Sequence, residues 1–161
     1  MTHSVLSFRQ ALKDDLPRIV EMLAADPLGK EREQFSSPLP ETYSTAFEAI
    51  AADPNNELIV ACLGREVVGV LQLTFIPYLT HQGSWRALIE GVRVAEEYRS
   101  QKVGRLLLEW AIERARARGC LLVQLTSDKT RGDALRFYER LGFEATHEGL
   151  KLRLESGRGE T

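Results

Sequence analysis

The chain has 161 residues, of which 43% are hydrophobic and 27% charged, with a net charge of −2 at neutral pH. That length supports one domain with a sizeable core rather than two, and the composition excludes wholesale disorder. The charge balance argues against a nucleic-acid-binding protein, no run of 18 apolar residues points to a membrane span, and the polar start MTHSVLSFRQ has no secretory apolar core, so a cytoplasmic location is expected.

In chain order, residues 5–10 read as a first strand. KDDLPRIVEMLAAD then sets Leu16, Ile19, Val20 and Leu23 at i, i+3, i+4, i+7, with Asp14 or Asp15 as N-cap and Pro17 in the first turn, which predicts an amphipathic helix. The stretch DPLGKEREQFSSPLP, broken by Pro27, Gly29, Pro38 and Pro40, reads as a loop leading to a second helix over residues 41–52. ELIVACLGREVVGVLQLTF predicts a hairpin around Gly64, Arg65 and Glu66. An interruption at residues 77–84 precedes a strand at 86–94.

Val103, Leu106, Leu107, Trp110, Ala111 and Arg114 mark the next helical face, and RARARGC ends it with cations and Gly119. CLLVQLT reads as a buried strand. TRGD resembles a capping box opening a helix with Ala134, Phe137, Tyr138 and Leu141 on one face, closed by Gly142. Two short strands at 144–147 and 149–154 complete the order β-α-α-β-β-β-α-β-α-β-β, a single-domain mixed α/β fold over residues 1–155 with a loose tail at 156–161. Cys62 and Cys120 lie in apolar stretches and read as buried free thiols. His3, His81 and His147 are scattered, so no metal is expected.

The segment VRVAEEYRSQKVGRLLLEW passes from strand to helix through a turn with little apolar content. The first N–H groups of a helix lack intrahelical partners and sit at the positive end of its dipole, where a phosphate binds readily. Gly104 admits close backbone approach, Ser100 is small, and Arg99, Lys102 and Arg105 add charge, with Gln101 and Val103 completing the turn. The pattern suits a pyrophosphate, although a one-glycine loop before a helix also serves as an ordinary connection. A dinucleotide fold would need more glycines and an earlier position in the chain.

Arg99-x-x-Lys102-x-Gly104 resembles the R/Q-x-x-G-x-G/A motif of the GNAT family of acetyl-CoA-dependent N-acetyltransferases, with Lys102 standing where the first glycine usually lies. ALRFYERLGF, residues 134–143, is similar to the family's A-x-x-x-Y-x-x-x-G-F segment, and FRQALKDDLPRIVEML fits its first strand and helix. The family's frequent asparagine, three residues before that alanine, is Arg131 here.

The resemblance implies a mostly antiparallel central sheet with flanking helices and acetyl-CoA as co-substrate. It implies that the pantetheine arm lies along ALIEGVRV against Val92, Arg93 and Val94, near Arg131, with Gly91 at a bulge. Glu90 becomes the candidate base for the attacking amine, directly or through water, and Tyr138 the candidate acid for the departing thiolate. Each has a plainer account: Glu90 as a charge paired with Arg86 or Arg93, and Tyr138 as core packing beside Phe137 and Leu141. Phe35, Tyr43, Tyr78, His81 and Trp85 fall where the family builds its acceptor pocket, or they simply pack beneath the Pro-rich loop.

The expected activity is acetyl transfer to a primary amine, preferably of a small molecule, by direct attack in a ternary complex without a cysteine nucleophile. The competing readings are a non-catalytic acyl-CoA sensor and a protein lysine or N-terminal acetyltransferase. No nucleic-acid or membrane partner is expected, and a homodimer through the terminal strands is a candidate assembly.

Overall fold

A computed structural model describes residues 5–154; the expected tail at 156–161 and His3 lie outside the described residues. The chain divides after Leu125 into two compact units. The first carries a five-stranded sheet, β1 (Leu6–Gln10), β2 (Asn56–Leu63), β3 (Glu66–Pro77), β4 (Trp85–Val94) and β5 (Leu122–Leu125), in spatial order 1-2-3-4-5. The first three pairings are antiparallel and β4 with β5 is parallel.

The helices are α1 (Leu16–Ala24), α2 (Pro27–Arg32), α3 (Glu41–Ala52), the one-turn α4 (Thr80–Gly83) and α5 (Val103–Ala117) in the first unit, and α6 (Gly132–Arg140) in the second. No described helix is long and apolar enough to cross a membrane.

Alternation along the strands divides the sheet into two unlike faces. Ile59, Leu71, Leu73, Phe75, Ala87 and Ile89 are buried, and Glu57 on the same face meets Arg114 of α5 at 3.0 Å. On α5, Val103, Leu107, Leu108, Ala111 and Ala115 are the buried residues. On the other face Ile19 and Met22 of α1 pack with Val60, Cys62, Val67, Val70 and Ala95. Beyond α1 this second face stays half-exposed, with Gln72, Thr74 and Ile76 of β3 opposite Glu90, Leu88 and Arg86 of β4. The apolar period predicted α1 well, except that Met22 is fully buried where Leu23 was expected; Leu23 packs at its edge.

The strand in CLLVQLT, expected to be buried, is only half-buried with Leu121 61% exposed, and on α5 Leu108 is buried whereas the expected Leu106 is 42% exposed. Three further local expectations need correction. The stretch after Asp26 begins with a short helix rather than a loop, because the Asp26 carboxylate accepts the Gly29 N–H and Pro27 occupies the first turn. Cys120 is half-buried, not buried like Cys62. It sits just past the end of α5, its N–H bonded to the Ala115 carbonyl.

The third correction concerns the second unit. The TRGD capping box does not form: Asp128 takes the Thr130 N–H and hydroxyl at 2.9 and 2.6 Å, and α6 starts at Gly132 with no side-chain cap. The strands expected at 144–147 and 149–154 are absent among the described residues, and Leu150, Leu152 and Leu154 are 94%, 87% and 83% exposed. An alternating sequence sets which side chains share a face, but a strand also needs a neighbouring backbone to bond.

Candidate functional site

Strand β4 outlasts its neighbour. Its pairing with β5 runs from Arg86 opposite Leu122 to Ile89 opposite Leu125, where β5 ends, while β4 continues to Val94. Among the described residues, the backbone of 90–94 therefore has no ladder partner on that side, an edge that an extended ligand can join as an added strand.

The divergence coincides with a bulge. Val70 pairs with Arg93 and Gln72 with Glu90, so Gly91 and Val92 face one β3 residue, and Gly91 takes a φ of +61°. Val92, Arg93 and Val94 are half-buried along this edge. The Arg93 guanidinium turns back, donating to the Val92 carbonyl at 2.7 Å and meeting Asp26 at 3.4 Å.

The turn that follows is built from strained backbone. After a 3-10 turn at Glu96–Tyr98, Arg99 is extended and Ser100 and Lys102 adopt left-handed φ values of 65° and 64°. The first helical bond of α5 runs from Leu106 N to the Lys102 carbonyl, so the amides of Val103, Gly104 and Arg105 have no intrahelical acceptor. No acidic residue occupies the first turn of α5.

Gln101 donates to the Glu97 carbonyl at 3.1 Å and ties the loop back. Buried Val103 anchors α5 over Gly69, where an added Cβ would lie 3.4 Å from Val103 and 3.3 Å from the Arg93 carbonyl. Arg99 and Lys102 are exposed and form no salt bridge among the described residues, whereas Arg105 pairs with Glu109 at 2.7 Å. The loop thus offers free amides, two available cations and a close-packed floor. The left-handed φ at Lys102 also gives the physical reason a glycine is favoured there.

Glu90 is exposed at the bulge and opposite Gln72. It forms no ion pair among the described residues: Arg93 is held by Asp26, and Arg86 lies over the Tyr78 ring at 4.8 Å. Gln72 and Thr74 both donate to the Asn56 side-chain oxygen, at 3.1 and 2.9 Å, so neither engages the Glu90 carboxylate. Burial pushes the Cys62 and Cys120 thiols up, which keeps both protonated and poor nucleophiles.

The five aromatic candidates separate into two places. Phe35 lines a cavity of about 500 Å³ under the Pro-rich loop with Pro17, Pro38 and Leu39. Tyr43 donates to Glu33 at 2.8 Å and accepts from the Gln34 N–H, serving that loop's structure. Tyr78, His81 and Trp85 gather instead at the far end of the β3–β4 connection.

In the second unit, half-buried Tyr138 lies edge-on to Phe137 and Phe143 at 5.4 and 5.9 Å, and Arg131 stands at the N-cap of α6. In the first unit, two residues that shape the surroundings of β4 escaped the sequence reading. Asp26 was signalled by the Asp-Pro start of α2, but Arg86 had no local signal, since its surroundings come from a turn across the hairpin.

The Acetyltransferase (GNAT) family matches residues 24–143. An aminoalkylphosphonate N-acetyltransferase from Salmonella typhimurium is 36% identical over 107 residues, 66% of this chain and 69% of that protein. A glucosamine 6-phosphate N-acetyltransferase from Trypanosoma brucei brucei is 35% identical over 88 residues, which span 55% of this chain and 58% of that protein. A solved structure described as a transcriptional regulator from Bacillus halodurans C-125 superimposes with a TM-score of 0.91 at 59% identity, covering 93% of this chain and all of that one.

Proposed function

The chain belongs to the GNAT acetyltransferase family, and from that premise we propose that it transfers acetyl from acetyl-CoA to the amine of a small molecule that also carries a phosphorus oxyanion. The observation that carries the donor half of this reading is the unpaired β4 edge at residues 90–94 leading directly into the free amides of α5. An extended arm ending in a pyrophosphate fits that sequence of features. The acceptor half is supported by two relatives whose names both specify an amine bearing a phosphonate or phosphate.

Acetyl-CoA supplies the activated acetyl group as a thioester. The main chain of Val92, Arg93 and Val94 holds the pantetheine arm, and the amides of Val103, Gly104 and Arg105, with Arg99, Ser100, Gln101 and Lys102, hold the diphosphate. Glu90 takes a proton from the incoming ammonium, whose reference pKa of about 10 keeps it charged at neutral pH. Tyr138 returns a proton to the departing thiolate, and Arg131 stands in for the family's asparagine toward the pantetheine. Attack is direct, in keeping with two thiols that burial holds protonated.

A second reading, an acyl-CoA-binding regulator without turnover, draws on the Bacillus halodurans structure and its description. Free-thiol release from acetyl-CoA over a panel of aminoalkylphosphonates, amino sugar phosphates, polyamines and lysine peptides separates the two. Turnover with the phosphorus-bearing amines supports the enzyme reading. Tight acetyl-CoA binding with no thiol released on any amine supports the regulator.

A further inference from the structure

Two donors at the end of the β3–β4 connection lack acceptors. Among the described residues, the Tyr78 hydroxyl and Arg86 Nε are both buried without a hydrogen-bond partner, and Arg86 forms no salt bridge. The guanidinium lies over the Tyr78 ring at 4.8 Å, and the His81 ring stands 5.5 Å from the same ring. A tight turn holds this arrangement: His81, Gln82 and Gly83 all have positive φ, and the Tyr78 N–H donates to the Ser84 carbonyl at 3.0 Å.

A guanidinium stays charged and only donates, and a buried phenol also seeks a partner. What the cluster lacks is acceptor capacity and negative charge, the two properties an oxyanion combines. Arginine's planar fork grips two oxygens of such a group at once.

The cluster also lies on the correct face. Arg86, Leu88 and Glu90 alternate with buried Ala87 and Ile89, so Arg86 and Glu90 share the half-exposed side of β4. Four residues at about 3.3 Å each set their backbones about 13 Å apart, a gap that the long arginine side chain shortens. One end of this face offers a carboxylate for an ammonium and the other a guanidinium that, among the described residues, has no anionic partner.

We infer that Arg86, assisted by the Tyr78 hydroxyl, binds the phosphorus oxyanion of the acceptor while Glu90 meets its amine. This rests on the acceptor class proposed above and assigns the residues that select it. Leu88 lies between the two charges and floors the space for the acceptor's carbon skeleton. An amine with no anion would use only half of the face.

The test compares wild type, R86Q, R86K and Y78F, each first checked for folding by circular dichroism. KM is measured for an aminoalkylphosphonate, the aminocarboxylate of equal length and the matching amino alcohol, and ethylphosphonate binding is measured by calorimetry. Losing a hydrogen-bonded charge should raise the phosphonate KM and weaken ethylphosphonate at least about tenfold in R86Q, with KM for the amino alcohol unchanged. R86K should retain part of the preference and Y78F should show a smaller loss.

The inference is overturned if R86Q leaves the ratio of phosphonate to alcohol KM unchanged, or if folded wild type fails to bind ethylphosphonate. A larger Arg86-dependent gain for the carboxylate than for the phosphonate overturns the assignment to phosphorus. If no amine is acetylated, the enzyme reading falls, yet ethylphosphonate binding that depends on Arg86 still upholds the anion site.

Discussion

Arg93 and Asp26 meet at 3.4 Å where the end of β4 passes the junction of α1 and α2, and each does a second task. Asp26 caps α2 through the Gly29 N–H, and Arg93 covers the Val92 carbonyl at 2.7 Å. The pair therefore ties a helix start to the unpaired edge proposed for the donor. Asp26→Asn should raise KM for acetyl-CoA severalfold with a smaller change in kcat, and it should cost less than the about 3–5 kcal/mol typical of breaking a fully buried pair. Steady-state kinetics with acetyl-CoA varied, alongside urea unfolding, measures both.

Lys102 holds a left-handed φ of 64° with a side chain that disfavours it. Lys102→Gly should stabilise the protein by about 1 kcal/mol, a rise in Tm of about 2–4 °C for a chain of this size. The amides behind it should bind the diphosphate at least as well once the turn is unstrained. Differential scanning calorimetry checks the first expectation and acetyl-CoA titration the second; a lower Tm would show that the lysine side chain contributes more than the strain costs.

Glu90 stands exposed at the bulge with no salt bridge among the described residues. Glu90→Gln should reduce turnover by about 10²-fold or more near neutral pH, where the acceptor amine is protonated, and the deficit should narrow as pH rises toward the amine's own pKa. Tyr138→Phe should lower kcat as well. Rate profiles from pH 6 to 10 decide: a constant ratio to wild type at every pH would remove Glu90 from proton transfer, and full turnover in a folded Tyr138→Phe protein would remove Tyr138.

Asp15 accepts from Arg9 at 2.7 and 3.1 Å and from the Leu12 N–H at 2.7 Å, and the Arg9 hydrogen bond leads in holding its carboxyl below the usual range. A carboxyl depressed in the folded state stabilises above its unfolded pKa of about 3.9 and loses that contribution as pH falls through the folded value. Asp15→Asn should therefore be less stable than wild type at neutral pH, with the difference vanishing in strong acid. Denaturant midpoints followed from pH 7 into strong acid, about pH 1.5, show whether the curves converge.

Glu57 is the buried charge of the core face, 5% exposed and bonded to Arg114 at 3.0 and 3.1 Å. Glu57→Ala would strand the Arg114 guanidinium against the sheet and should cost about 3 kcal/mol, near the low end for a buried pair because Arg114 is 37% exposed. Arg118 would also lose its ion pair to Glu57 at 3.7 Å, while keeping its packing over the Phe75 ring at 4.1 Å. Urea unfolding gives the number.

Local chemistry made much of this protein legible in its sequence. The periodicity of Leu16, Ile19 and Val20 placed α1, and the hairpin around Gly64, Arg65 and Glu66 placed β2 and β3, while the bulge at Gly91 was expected only through the family resemblance. The turn before α5 was readable because a glycine and cations at a helix start are a local pattern. Such signals depend on neighbours within a few residues, where spacing alone fixes which groups meet.

What the tertiary structure decided are the relations between distant segments. That β5 stops at Leu125 and leaves residues 90–94 unpaired depends on where a second strand ends, and no property of ALIEGVRV announces it. Arg93 turning to Asp26, 67 positions earlier, and Arg86 settling over Tyr78 instead of pairing with Glu90 follow from the sheet's register and the left-handed turn at His81. The alternating leucines of residues 150–154 show the same limit from the other side: the pattern specifies a strand's faces, while a strand exists only where another backbone meets it.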